Sequence, residues 1–455
     1  MVESKTSDKK MENVRLSEVL SALSYALDIV EGQPEGHVLR SCYIGMKIGE
    51  RLGLSEEDRS ALFYALLLKD AGCSSNASKI TALFGSDDFE TKKAFKTVDW
   101  SRLPHAVKYV ASTVSPDGAL WTKARRFFAV GLEGQKGARQ LVLIRCERGA
   151  EIVRLMGFPE ASAQAIRNLD EHWNGRGHPD GLRRDEIPLL SRICGLAQTA
   201  EVFYSGFGTV RAEEVAKARR KTWFDPDVVD AFLSLTKDGS LWRDIRAPDL
   251  GPKISRLEPE DQVVEVTPER LDLVAEAFSQ IIDAKSPFTY MHSEGVTEVA
   301  VAIAKQLDFE PEALRDLKRA ALLHDIGKLG VSNRILDKPG RLTDEEFSTI
   351  KSHPRLTYGI LSRVSAFQPI AQTAANHHEK LDGTGYHRGI TGDDLDRPSR
   401  ILAVADIFDA LSKDRPYRAA MPMEKVLSIL DFESGDKLCP ESVDILKELI
   451  EKDVL

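Results

Sequence analysis

The sequence predicts an all-helical protein made of two tandem copies of one domain. Three observations carry this reading. Apolar residues recur at three- and four-residue steps in most segments, as at Leu16, Val19, Leu23 and Leu27, the stripe of an amphipathic helix. Strand signals are sparse, and Gly/Pro/Asp loops separate the helical stretches. The chain also matches itself at a fixed offset, and an internal repeat decides architecture before any single element does.

The first match pairs "HVLRSCYIGMKIGERLGLSEEDRSALFYALLLKDAG" from His37 with "HSEGVTEVAVAIAKQLDFEPEALRDLKRAALLHDIG" from His292, an ungapped offset of 255 residues. It aligns His37 with His292, Ile48 with Ile303, Leu52 with Leu307 and Asp70 with Asp325. The helix before it follows the same offset, with Leu16, Val19, Leu23 and Leu27 falling on Leu271, Val274, Phe278 and Ile282. Further on, "EHWNGRGHPDGL" from Glu171 parallels "EKLDGTGYHRGI" from Glu379, and "SRICGLAQTAEVF" from Ser191 parallels "SRILAVADIFDAL" from Ser399, now at an offset of 208. The first copy therefore holds 47 extra residues, placed within about 80 to 145. A last echo joins "FDPDVVDAF" near Phe224 to "LCPESVDIL" near Leu438.

These matches divide the chain into a first domain over 1–236, a linker over 237–267 and a second domain over 268–455. The linker carries Pro248, Pro252 and Pro259 without clear periodicity. Thr267 followed by Pro268 is a helix start, because the hydroxyl caps the first turn and proline lacks only an N–H that has no partner there.

A chain of 455 residues exceeds what one core usually holds. With 42% hydrophobic and 29% charged residues it has a globular composition. A formal net charge of −9 argues against a general DNA-coating role and against a polybasic membrane anchor. The charged N-terminus lacks a signal-peptide core, and no apolar run nears the roughly 20 residues of a membrane span. Cys42, Cys73, Cys146, Cys194 and Cys439 are scattered with no CxxC pair. A reduced, cytoplasmic protein without disulfides or thiolate zinc is the expectation.

The second copy concentrates chemistry. His292, His324, His353, His377, His378 and His387 make up six of the ten histidines. His324 and Asp325 end an apolar helix in "AALLHDIGK", and Gly327 and Gly330 let the chain turn away. Adjacent helical side chains diverge by roughly 100°, which suits a site wedged against the helix or two metals side by side. Asp406 lies in "ILAVADIFDAL", apolar on nearly every side, where a carboxylate needs a partner. Imidazole and carboxylate donors without thiolates suit Fe, Mn or Zn. Taken singly, each of these residues reads as an ordinary hydrogen-bonded or solvated group. Their combination in one domain is what points to a site. "DRPYR" from Asp414 adds Arg415 and Arg418, guanidinium groups suited to phosphate oxygens.

Together His292, "HDIGK", "SHP" at His353, "NHHEKLDGTGY", "RILAVADIFDAL" and "DRPYR", spread over about 285–445, resemble the HD-GYP family of HD-domain metal-dependent phosphohydrolases. The resemblance implies an all-helical HD-type domain with a two- or three-metal centre, here the second of the two tandem copies. It also implies hydrolysis of a cyclic dinucleotide, usually cyclic di-GMP and sometimes cyclic GMP-AMP, to a linear product. It makes His292, His324, Asp325, His353, His377, His378 and Asp406 the metal ligands. Asp325 and Lys328 become the catalytic pair, and Lys328, Tyr386, Arg415 and Arg418 the substrate contacts.

Two departures stand out. The family's Gly-Tyr-Pro reads Gly385-Tyr386-His387, and loss of the proline is expected to loosen the loop. Family members with a third metal carry Glu where this chain has Phe288, so two divalent ions, Fe or Mn, are expected.

In the first copy His37 persists, but the His-Asp pair has become Lys69-Asp70 and the Lys328 position holds Cys73. The paired histidines align with Leu169-Asp170, Asp406 with Gln198 and Arg415 with Phe207. His353 has no clear counterpart, and an ungapped reading places it near Leu143. The first copy is thus expected to keep the packing, lose the chemistry and serve a regulatory, dimerising or structural role. The partners expected are a cyclic dinucleotide substrate and a homodimer or signalling protein, with no DNA and no membrane insertion. Two rival readings are a sensor that binds without hydrolysis and an HD phosphohydrolase acting on another nucleotide.

Overall fold

The computed structural model describes residues 15–98, 103–116, 118–260, 263–287, 289, 291–414 and 419–455. Among them there are helices, turns and isolated β-bridges, and no strand. The chain forms two compact units, 1–267 and 268–455.

The first unit contains α1 (Leu16–Val30), α2 (His37–Leu52), α3 (Glu56–Leu68), α4 (Ala77–Phe84), α5 (Asp88–Thr97), α6 (Leu103–Thr113) and α7 (Leu120–Leu155). After these come α8 (Glu160–Arg167), α9 (Leu189–Phe207), α10 (Thr209–Arg219), α11 (Pro226–Thr236), α12 (Ser240–Asp244) and α13 (Leu250–Ser255). The second contains α14 (Pro268–Asp283), α15 (His292–Gln306), α16 (Pro311–Leu323), α17 (Asn333–Leu336), α18 (Asp344–Lys351) and α19 (His353–Leu361). It closes with α20 (Gln368–Ala375), α21 (Arg397–Ser412), α22 (Met423–Glu433) and α23 (Pro440–Glu451).

In the second unit α15, α16, α21, α22 and α23 bury one apolar cluster that includes Val296, Ile303, Leu317, Ile401, Val404, Phe408, Leu430 and Leu446. Helix α16 starts at Pro311 in the first turn, where a missing N–H is harmless. It ends as a 3-10 turn, Ile326–Gly330, takes over. Helix α19 packs against that turn. The approach is so close that a Cβ on Gly327 would clash with the His353 carbonyl. Glycine at 327 is therefore what brings the start of α19 to the end of α16.

Much of the extra length of the first copy forms α4 to α6 and the first part of α7, around a small cluster of Ile80, Phe84, Tyr109 and Val114. The stretch 237–267, expected to be a bare linker, is not one. Helices α12 and α13 pack within the first unit, α12 against α11 and α13 against α1 and α2, with Trp242 and Ile254 buried. At five and six residues they are too short to show a period.

Candidate metal centre

The three histidines at 324, 353 and 377 are held in the same way. Each Nδ1 lies 2.6–2.7 Å from the carbonyl three residues earlier: Ala321, Ile350 and Ala374. A carbonyl only accepts, so each Nδ1 carries the hydrogen and each Nε2 presents a lone pair inward. His292 is oriented by a carboxylate instead, with Nδ1 2.6 Å from Asp409 Oδ2. Such outer partners fix a ligand's tautomer and direction.

All these nitrogens converge on Asp325. Its Oδ2 lies 3.4 Å from His324 Nε2 and 3.8 Å from His292 Nε2. Its Oδ1 lies 3.3 Å from His353 Nε2 and 3.7 Å from His377 Nε2. Asp406 closes one side, with Oδ1 3.2 Å from His292 Nε2 and Oδ2 3.5 Å from His378 Nδ1. The donors fall into two compact sets, His292, His324 and Asp406 on one side and His353, His377 and His378 on the other. Asp325 offers one oxygen toward each.

The donor set fits cations. Among the described residues, His324 Nε2 and Asp325 Oδ1 are buried without a hydrogen-bond partner. His353 Nε2 and His377 Nε2 face each other at 3.0 Å although both are acceptors. Burial pushes His378 down to about 3 and His377 well below its usual range, the latter helped by neighbouring histidines. Neutral imidazoles are what a metal requires. Burial opposes the charges of Asp325 and Asp406, yet both stay well below the usual carboxylate range. Lys328 and His324 hold Asp325 there, and His292 and His378 hold Asp406.

Around the cluster, Lys328 Nζ reaches Asp325 Oδ2 at 2.5 Å. The Tyr386 ring lies 4.7 Å from that of His378. His387 belongs to the neighbouring loop, where its N–H donates to Glu379 Oε1 at 3.1 Å, beside Arg388 N at 2.6 Å. A proline at 387 could not make the first of these bonds. Arg415, Arg418 and Phe288 lie outside the described residues.

The first unit shows what replaced this arrangement. Gly72 approaches Arg145 as Gly327 approaches His353, so the counterpart of His353 is Arg145 rather than Leu143. Lys69 Nζ sits 2.9 Å from His37 Nε2 and pairs with Asp70. Lys96, from the inserted α5, pairs with Glu31 and lies 3.6 Å from Asp70. Arg145 pairs with Asp170. Glu31, Asp70 and Cys73 are close enough to hold an ion, but these ammonium and guanidinium groups already supply the positive charge. Asp409, Arg145, Lys96 and Glu31 were not singled out from the sequence. Arg145 was within reach, since the offset of 208 extends back to it.

Fold and site define a phosphohydrolase of the HD-domain class. An HD domain family model matches residues 137–228 and 276–441, and the chain belongs to this family, in its HD-GYP group. It is 42% identical over 435 residues, 96% of this chain and 94% of the relative, to 3'3'-cGAMP-specific phosphodiesterase 3 of Vibrio cholerae. The crystal structure of a cyclic GMP-AMP specific phosphodiesterase of V. cholerae, V-cGAP3, superposes with a TM-score of 0.64 at 38% identity, covering 96% of this chain and 98% of that one. The cyclic di-GMP phosphodiesterase response regulator RpfG of Xanthomonas campestris is 38% identical over 170 residues, 37% of this chain and 45% of its own. No helix among the described residues is long and apolar enough to cross a membrane.

Proposed function

We propose that the second unit is a metal-dependent phosphodiesterase that opens a cyclic dinucleotide to a linear one, with cyclic GMP-AMP as the preferred substrate. The observation that carries this is the meeting of four imidazoles around the two oxygens of Asp325, with Asp406 against His292. The near-full-length likeness to a cyclic GMP-AMP enzyme supports the substrate.

His292, His324, Asp325 and Asp406 would hold one divalent cation, and Asp325, His353, His377 and His378 a second. Nitrogen and oxygen donors without thiolate suit Fe, Mn or Zn, of which we propose Fe or Mn. Such a pair lowers the pKa of a bound water and neutralises a phosphodiester. The protein's own part is to keep the ligands aimed and buried, with His377 and His378 neutral and Asp325 and Asp406 ionised. Lys328 stands at the rim with its ammonium toward the centre, placed to offset charge growing on the phosphate. Tyr386 flanks the substrate side beside His378. Arg415 and Arg418 are proposed to take phosphate oxygens. The first unit, with internal cations in place of metal, is proposed to act as a regulatory or structural partner.

The test is product analysis of the metal-loaded protein with cyclic GMP-AMP, cyclic di-GMP and a panel of mononucleotides. Linear dinucleotide from cyclic GMP-AMP supports the assignment. Bound metal with no turnover of any cyclic dinucleotide sinks it in favour of a sensor.

A further inference from the structure

The rings of the metal centre do not stop at its edge. His377 lies tilted against His378 with centroids 4.1 Å apart, His378 tilted against Tyr386 at 4.7 Å, and Tyr386 meets Phe347 edge-on at 6.1 Å. Lys351 Nζ hangs 4.9 Å from the Phe347 centroid and 6.0 Å from that of Tyr386. Phe347 and Tyr386 are 42% and 37% exposed. A lone exposed phenylalanine needs no explanation. This one extends a row of rings that begins at a candidate ligand and has a cation over it.

Its helix is also held unusually for its size. Helix α18 has no fully buried residue, so a core does not fix it. A capping box does, with Thr343 and Glu346 bonded reciprocally at 3.2 and 2.7 Å, and Lys338 reaching Glu346 at 2.6 Å. Phe347 precedes His353 by less than two turns, with only Ser352 between α18 and α19. The ring is thereby set at a constant distance from the metal centre.

We propose that Phe347, walled by the edge-on Tyr386 ring and flanked by Lys351, forms a shelf that stacks one nucleobase of the substrate and steers its anionic backbone. This deepens the assignment above and rests on it. Every base offers a π face, so stacking on an exposed aromatic gives affinity with little sequence demand. An ammonium beside the shelf adds attraction for phosphate.

The test is Phe347→Ala, with Phe347→Trp as the conservative variant and metal content checked in both. With cyclic GMP-AMP, KM rises about ten- to a hundredfold in Phe347→Ala, and the loss falls on KM rather than kcat. Its activity relative to methyl p-nitrophenyl phosphate, a diester without a nucleobase, drops by the same factor, and Phe347→Trp restores both. An unchanged KM in folded, metal-loaded Phe347→Ala overturns the shelf, as does an equal loss on the small diester. If the wild type turns over no cyclic dinucleotide, equilibrium titration of EDTA-treated protein separates the two ideas. Binding that weakens tenfold in Phe347→Ala keeps the shelf and removes the enzyme, whereas no binding by the wild type removes both.

Discussion

His353 Nε2 and His377 Nε2 lie 3.0 Å apart, while each ring's Nδ1 is bonded to a backbone carbonyl. Two lone pairs so placed repel unless a positive charge sits against both. Helix α19 supplies one ring and the turn after α20 the other, so the packing of the two segments creates an electrostatic need that a cation meets.

Metal removal should therefore loosen the second unit as well as silence it. Chelation is expected to lower the main unfolding temperature by several degrees, since a ligand bound at a hundred times its Kd stabilises by about 2.7 kcal/mol. Calorimetry with and without EDTA measures this. His353→Ala and His377→Ala should each lose metal and cut turnover by orders of magnitude, read by elemental analysis alongside product formation.

Asp409 should matter through His292, which it orients at 2.6 Å. Asp409→Ala is expected to weaken metal affinity about ten- to a hundredfold. Asp409→Glu should recover most of it, because the first unit performs the same task with Glu201 against His37. Metal titration followed by a chromophoric chelator distinguishes these outcomes. Equal affinity in all three proteins would remove Asp409 from the account.

Lys96 neutralises two buried carboxylates in the first unit, Glu31 and Asp70. Lys96→Met leaves them short of a partner and should destabilise by about 3–5 kcal/mol. Metal content per chain should not change. Denaturant unfolding and elemental analysis check the two halves separately, and unchanged stability in this variant would contradict the replacement of ions by side chains.

Asp28 accepts the Gly36 and Val38 amides at 2.6 and 2.9 Å and so holds the start of α2. Burial raises its pKa from 3.8 to about 7, with the backbone bonds and Lys69 opposing. A raised folded pKa means the folded state binds the extra proton. The contribution is complete below about 4 and is lost as pH rises through about 7. Relative to Asp28→Asn, which is neutral throughout, the wild type should lose stability between those limits. Thermal melts of both proteins across that range test it, and parallel curves would refute it.

Much of this was legible in the residues. The offset of 255 carried Asp28 onto Asp283, which likewise holds the start of α15 through Ser293 at 2.7 Å. The centre's histidines and aspartates were legible because their residue types are rare and the spacing recurs. Outer partners were not: Asp409 reads in sequence as one more acid on a helix, and only folding sets it against His292. The bond made by His387 was hidden because it depends on which amides find acceptors. In the first unit, where Pro179 lacks an N–H, Glu171 instead takes the Asp180 and Gly181 amides at 2.6 and 3.0 Å. In the second, Glu379 takes those of His387 and Arg388. The short helices of 237–267 were hidden because five or six residues cannot display a period.

The central claim is most directly tested by titrating metal-free protein with Fe(II) or Mn(II) under anaerobic conditions while following linear dinucleotide release from cyclic GMP-AMP. The account predicts turnover that saturates at two equivalents per chain and vanishes in His324→Ala and Asp325→Ala, yet persists in Lys69→Ala. Turnover without metal, or equal turnover in His324→Ala, would contradict it.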